Sequence, residues 1–323
     1  MGYFLIRRLF WAFFLFVAAT MITYLIFFVV PSDPAVLAAG KATKPEIVAH
    51  IRHALHLDLP IYQQYWLFVW NLVRHADFGH SYANGLPVRT ELAQEIPVTA
   101  SIVFGGVVLY LLIAIPTGVI SALRPRSILD RMGMVFVLFG ISAPAVWVGL
   151  ILIYLVSFKL GWTPINDYCS PIPNHSVGGC SGVGQWAYHL ILPWLTLAVG
   201  SAALYTRLIR ANVMETMSED YVRTAQAKGA SPARVLFQHV LRNSMLQVVT
   251  ILGMDLGLLL GGVALIEIVF GMPGLGQQLI QSGPRFDLPT IVGIVLFATL
   301  SVIVFNFIVD VLYAWLDPRI RLT

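Results

Sequence analysis

Charge is in short supply along this chain. Asp, Glu, Lys and Arg make up 11% of its 323 residues, hydrophobic residues make up 58%, and the mean hydropathy is +0.80. A soluble domain carries about 25% charged residues, so these few cannot cover a water-facing surface of this size. Lipid is the solvent for much of the molecule. The cations stand at the ends of apolar runs and in short loops, without a basic stripe, which excludes a nucleic-acid partner. Also missing is the G-x-x-x-x-G-K-[ST] loop that cradles nucleotide phosphates. The one Gly-Lys pair, Gly40-Lys41, lacks a strand-to-helix setting. No nucleophile, base and orienting group form a recognisable set. Ser142 and Ser301 lie in apolar runs, where hydroxyls usually bond helix carbonyls. The chain therefore reads as a non-enzyme with no cofactor of its own.

What is present is a series of six apolar runs, each near the ~20 residues that cross a bilayer. They fall at roughly 9–30, 98–123, 132–157, 187–207, 246–270 and 290–314, with Pro144 interrupting the third and Gly257, Gly261 and Gly262 the fifth. Breaks of this kind are tolerated where neighbouring helices satisfy the backbone. The expected fold is an all-α membrane protein with six transmembrane helices. The first run follows Arg7 and Arg8 but exceeds the roughly 7–15 apolar residues of a signal peptide, so it reads as a retained helix. With the N-terminus inside, 13 of the 20 Lys and Arg residues lie on the cytoplasmic side. That asymmetry sets the orientation and puts both termini in the cytoplasm.

Two hydrophilic regions then face opposite sides. Residues 31–97 are external, with a mixed helix near 44–57 and an aromatic stretch from Tyr62 through Trp70 suited to the membrane interface. His50, His53 and His56 recur at helical spacing there and are weak candidates for holding a borderline cation; a solvated polar face is the favoured explanation. The only two cysteines, Cys169 and Cys180, share one external loop, where a disulfide or two free thiols are the alternatives.

The second region, about 208–245, is cytoplasmic. Asp220 to Lys228 is a good helix former that stops at Gly229; Ser231 and Pro232 supply the cap and first position of a second short helix. Two short helices at a glycine corner make a knob that fits a groove on a partner protein. Val222, Val235, Leu236 and Phe237 add apolar character to that surface.

This segment resembles the cytoplasmic coupling loop of binding-protein-dependent ABC importers. The residues that carry the resemblance are Asp220, Tyr221, Val222, Arg223, Thr224, Ala225, Ala227, Lys228 and Gly229, followed by His239, Leu241, Arg242 and Asn243. The wording is that of the peptide/nickel (dipeptide/oligopeptide) branch, in which the Glu-Ala of the general Glu-Ala-Ala-x-x-x-Gly pattern is usually replaced, as here. Four more stretches resemble the same branch: Leu57 to Pro60 with Gln64-Tyr65; Asp77 to Ser81; Glu267 to Phe270 with Pro273 to Gly276; and Asp310 to Tyr313 with Leu316 to Arg319.

The resemblance implies a type I importer permease. Residues 1–97 would form the first helix and external region, and 98–323 a five-helix permease core. It implies a second homologous permease, two cytoplasmic ATPase subunits carrying ATP and magnesium, and an external substrate-binding protein, all at a bacterial inner membrane. Coupling to the ATPase would fall to Asp220, Tyr221, Arg223, Thr224, Ala225, Ala227, Lys228, Gly229, Ser231 and Pro232. The cargo would be a dipeptide or oligopeptide, with nickel or another small solute as the alternative. Independently of the resemblance, Asp255 lies deep in the fifth apolar run, where a carboxylate costs about 2.5–3.5 kcal/mol and faces protein or a water-filled path. It is a candidate for the translocation path, or for pairing with a neighbouring helix. Glu267, at the outer end of that run, is a candidate for an external gate, a docking surface or a water-facing anchor. Asp310 and Asp317 are expected to pair with nearby arginines. An ion-coupled secondary transporter is the rival class; Asp255 alone favours it, and the halves do not repeat.

Overall fold

The computed structural model describes residues 2–26, 35–36, 45–54, 58–171, 180 and 182–316. In chain order the helices are α1 (Gly2–Tyr24), α2 (Pro45–Ala54), α3 (Ile61–His75), α4 (Val88–Leu123), α5 (Ile128–Ser142), α6 (Ala145–Leu152), α7 (Val183–Met217), α8 (Asp220–Ala227), α9 (Pro232–Arg234), α10 (Leu241–Leu260), α11 (Ala264–Val269), α12 (Leu275–Arg285) and α13 (Leu288–Leu316). Wide π-type turns extend α6 over Ile153–Lys159 and join α9 to α10 over Val235–Val240.

Five continuous stretches are long and apolar enough to cross a membrane: Ile6–Tyr24, Val88–Leu123, Val183–Met217, Pro232–Leu260 and Leu288–Leu312. The sixth is a bent pair, Ile128–Ser142 and Ala145–Lys159, turning through 102°. The third expected span, 132–157, is therefore not one straight helix. Pro144 causes the break: it pushes Ala143 to extended backbone (φ −84°, ψ 118°), as residues before proline prefer, and then opens α6 as its N-cap. The fifth expected span, 246–270, is corrected as well. Its helix ends at Leu260, and Gly261 and Gly262 separate it from the short α11. The end of the first expected span, 27–30, lies outside the described residues.

The chain forms two compact units, one comprising 1–99, 256–264 and 273–323, the other 100–255 and 265–272. In the first, the Arg8 guanidinium of α1 meets the Asp310 carboxylate of α13 at 2.7 Å, the pairing expected for Asp310; Asp317 lies outside the described residues. Helix α3 is fixed to α1 by hydrogen bonds. Tyr65 and Thr20 hydroxyls lie 2.9 Å apart, and Tyr24 donates to Gln64 Oε1 at 2.9 Å. The opposite face of α3 leaves Tyr62, Trp66 and Trp70 exposed, with Arg74 over the Trp70 ring at 5.4 Å. Such a one-sided aromatic helix suits the lipid–water boundary.

The Asp77 to Ser81 stretch is a docking turn in the same unit. Phe78 packs on the cluster of Val88, Leu92, Leu275 and Ile294. Ser81 donates to Asp287 Oδ2 at 2.5 Å, and the Tyr82 amide donates to Asp287 Oδ1 at 2.8 Å. Burial, and after it the Asp287 carboxylate, pushes the Tyr82 phenol up to about 12. The Pro273 to Gly276 turn is shaped by a close crossing. A Cβ on Gly276 would lie 2.6 Å from the Ala264 backbone, so only hydrogen fits, and the Leu275 amide donates to Thr99 Oγ1 at 2.9 Å.

In the second unit α4, α5 and α6 pack on α7. The Trp194 indole donates to the Ser101 carbonyl at 2.9 Å, and the Thr117 and Thr206 hydroxyls meet at 2.9 Å. These contacts keep α7 continuous despite Pro193 within it.

Candidate functional site

The segment from Ser218 to Asn243 builds up from its capping chemistry. Residues 218–219 end α7, and α8 carries Thr224, whose hydroxyl returns to the Asp220 carbonyl at 2.8 Å. Lys228 caps α8, and Gly229 turns the chain at φ +81°, where the Gly229 amide donates to the Gln226 carbonyl at 2.9 Å and the Ala230 amide to the Ala225 carbonyl at 3.2 Å. Ser231 then caps α9, with Pro232 at its first position.

Two apolar side chains fix this knob. Val222 and Val235 are buried, at 0% and 5% exposure, so they are anchors rather than part of an outward apolar surface. Leu236 is half-buried, and of the four only Phe237 points outward, at 67%. Asn243 donates to the Tyr221 hydroxyl at 2.8 Å, tying α8 to the start of α10. Outward stand Asp220, Arg223, Thr224, Ala227, Lys228, Gly229, Ser231 and Pro232, with Ala225 half-buried. Arg223 and Asp220 approach to 3.8 Å at the exposed i,i+3 spacing, a contact worth little in water. The result is a polar, fully presented face on a base held from beneath.

A brace that sequence reasoning missed links α7 to α5. Arg210 of α7 donates through Nε to Asp130 Oδ1 at 2.8 Å and through Nη2 to Oδ2 at 3.1 Å. Ser121 of α4 also donates to Asp130, and the Arg126 amide reaches its Oδ2 at 2.8 Å. A bidentate pair of this kind fixes orientation as well as charge. The signal was there: Ser127 and Asp130 match the [ST]-x-x-[DE] helix-start pattern, and Ser127 caps α5.

Asp255 lies about 21 Å along α10 from Leu241, at 1.5 Å per residue. Its Oδ2 accepts a hydrogen bond from the Tyr205 hydroxyl at 2.6 Å. Tyr205 is fully buried, and the Tyr110 ring lies 4.9 Å from it, centroid to centroid. Among the described residues Asp255 has no ion-pair partner; a neutral phenol from α7 takes the place of the charged neighbour a buried carboxylate usually finds. Glu267 is 0% exposed within α11, so its side chain does not face water in this chain.

Cys169 and Cys180 are joined in the structure, with Cα atoms 5.3 Å apart. Together with His189 they form the only His/Cys/Asp/Glu group close enough to hold a metal among the described residues. The sulfur–sulfur bond occupies both thiols. His53 is 86% exposed and its Nδ1 lies 3.5 Å from Asp58, while His50 is exposed and His56 lies outside the described residues. His50 and His53 belong to no ligand set among the described residues.

Comparison with known proteins places these features. Residues 114–322 match the family model described as "Binding-protein-dependent transport system inner membrane component", and residues 1–103 match the model for the N-terminal part of such membrane components. The chain is 37% identical over 331 residues to the Escherichia coli K12 protein named "Probable D,D-dipeptide transport system permease protein DdpB", covering 98% of this chain and 97% of that one. It is also 37% identical over 302 residues to the glutathione transport system permease protein GsiC of the same strain, covering 94% and 93%. With a multi-pass helical fold and matches spanning nearly its whole length, the chain belongs to the family of binding-protein-dependent transport system inner membrane components.

Proposed function

We propose that this chain is the permease subunit of an ATP-driven importer of short peptides, and that residues 219–235 seat in a cleft of a cytoplasmic ATPase. The observation that carries this reading is the cytoplasmic knob: an exposed polar face from Asp220 to Pro232 standing on the buried Val222 and Val235. A surface helix that merely linked two spans would not require such anchoring; median connections are about 4–6 residues. Peptide cargo is supported by the near full-length likeness to permeases named for D,D-dipeptide and glutathione transport.

The remaining assembly follows from the same reading. A second, homologous permease completes the path, two ATPase subunits bind ATP and magnesium, and an external binding protein delivers cargo. Residues 98–323 form the permease core, both termini are cytoplasmic, and the Cys169–Cys180 bridge faces the oxidising side. Asp255 and Glu267 contribute to the path or its gate. ATPase closure moves the knob, and the brace of Asp130 and Arg210 transmits that movement to α5 and α7 as rigid-body motion.

The test is uptake of a radiolabelled dipeptide into proteoliposomes holding the full complex, with the binding protein outside and ATP on the ATPase side. Accumulation that requires ATP and the binding protein supports the proposal. Accumulation driven by an ion gradient without ATP overturns it in favour of a secondary transporter.

A further inference from the structure

Asp255 is the one carboxylate in the middle of α10, and its hydrogen bonding is unfinished. Tyr205 satisfies Oδ2 at 2.6 Å. The carboxylate is half-buried, and no described residue supplies it with a cation. A carboxylate offers about four lone-pair sites, so a single phenol leaves Oδ1 able to accept from a further donor. Beside the pair, the fully buried Tyr110 packs its ring 4.9 Å from that of Tyr205, centroid to centroid, and the two phenols interact. A carboxylate this far along an apolar helix usually faces protein or a water-filled path, and here no cation among the described residues meets it.

We infer that Asp255, held in position by Tyr205, is a binding group for a primary ammonium on the cargo during its passage. This rests on the permease reading above and deepens it. The chemistry is specific. An ammonium presents three donors and a full positive charge, which Asp255 Oδ1 and a neighbouring phenol oxygen match and which a neutral amide matches poorly. Tyr205 is a positioning residue: its hydroxyl fixes the carboxylate rotamer, so that the free oxygen has one direction. A peptide amino terminus and a lysine side chain both carry this group.

The experiment uses the purified full complex without binding protein and three photoreactive probes. These are alanyl-benzoylphenylalanine, its N-acetyl twin, and N-acetyl-lysyl-benzoylphenylalanine, with labelled positions read by mass spectrometry. The free-amine probe is expected to label α7 and α10 near Tyr205 and Asp255 about tenfold more than its acetylated twin, the loss of one charge-assisted contact. Asp255→Asn should abolish that difference and Asp255→Glu should retain it. Tyr205→Phe should reduce it several-fold while leaving labelling by the acetylated twin unchanged, which a general loss of packing would not do. Labelling by the acetylated lysyl probe that depends on Asp255 supports a side-chain ammonium as a source; its absence supports the amino terminus. Equal labelling by the free and acetylated alanyl probes in the wild type overturns the inference. So does release of the second permease by Asp255→Asn, which would assign the carboxylate to a subunit contact. Dipeptide uptake by the same preparation, after addition of binding protein and ATP, separates the two levels. Normal uptake with Asp255-independent labelling sinks only the ammonium site, whereas absent uptake sinks the permease reading and this inference with it.

Discussion

Replacing Gly229 with valine perturbs the knob at its corner and nowhere else. Gly229 has φ +81°, and a Cβ built there meets no atom within 4 Å. The penalty is therefore the backbone's alone, about 1–2 kcal/mol for an L-residue in left-handed backbone, with β-branching at the upper end. That magnitude changes the ratio of correct to incorrect corner conformers by about 5–30-fold. The hydrogen bonds from the Gly229 and Ala230 amides would be lost in the incorrect conformer, and Asp220 and Lys228 would no longer be presented together. ATP-stimulated uptake, measured beside retention of the ATPase on a tagged permease, should fall by roughly that factor, with expression and thermal stability in detergent close to wild type. Gly229→Asn should recover most of the loss, because asparagine tolerates this region. Full uptake by the valine variant, or equal damage from asparagine and valine, would refute the reasoning.

Other consequences follow from the same geometry. Gly276→Ala must displace the Ala264 backbone, which a Cβ would meet at 2.6 Å, so its damage should appear as a lowered unfolding temperature in detergent rather than as lost coupling alone. Arg210→Ala strands the buried Asp130 carboxylate and should cost about 3–5 kcal/mol, with the Arg210→Ala/Asp130→Ala double variant less damaged, as read by thermal unfolding. The Tyr82 phenol, raised by burial and Asp287 to about 12, stays neutral in the fold where an unfolded tyrosine ionises near 10. Its contribution to stability is complete below that lower value and is lost as the pH climbs toward 12. Ultraviolet difference titration should lose one late-ionising tyrosine in Tyr82→Phe.

Much of this architecture was legible because the bilayer imposes a crude rule. Runs of apolar residues and the placement of arginines locate the spans, and Ser231-Pro232 and Gly229 mark the knob through local capping chemistry. The inward turn of Val222 and Val235 was not legible, because helical spacing identifies a face without saying what covers it. The 102° bend at Pro144 exceeds what a proline signal alone specifies, since membrane helices can continue through a proline, as α7 does at Pro193. Tyr205 carried no signal at all. A tyrosine 50 positions from Asp255 in sequence becomes its partner only when α7 and α10 pack. Similarly, the Asp77 to Ser81 and Pro273 to Gly276 stretches were recognisable as motifs, but their role as docking turns depends on contacts with Asp287 and Thr99 that lie far along the chain.

The most direct test of the central claim is recovery of partners on the tagged chain from detergent extracts, identified by mass spectrometry. The account predicts ATPase subunits on the wild-type chain and their loss when the exposed face between Asp220 and Pro232 is rewritten with Val222 and Val235 kept. A chain that retains its ATPase after that rewriting, or that purifies alone and transports on an ion gradient, would contradict it.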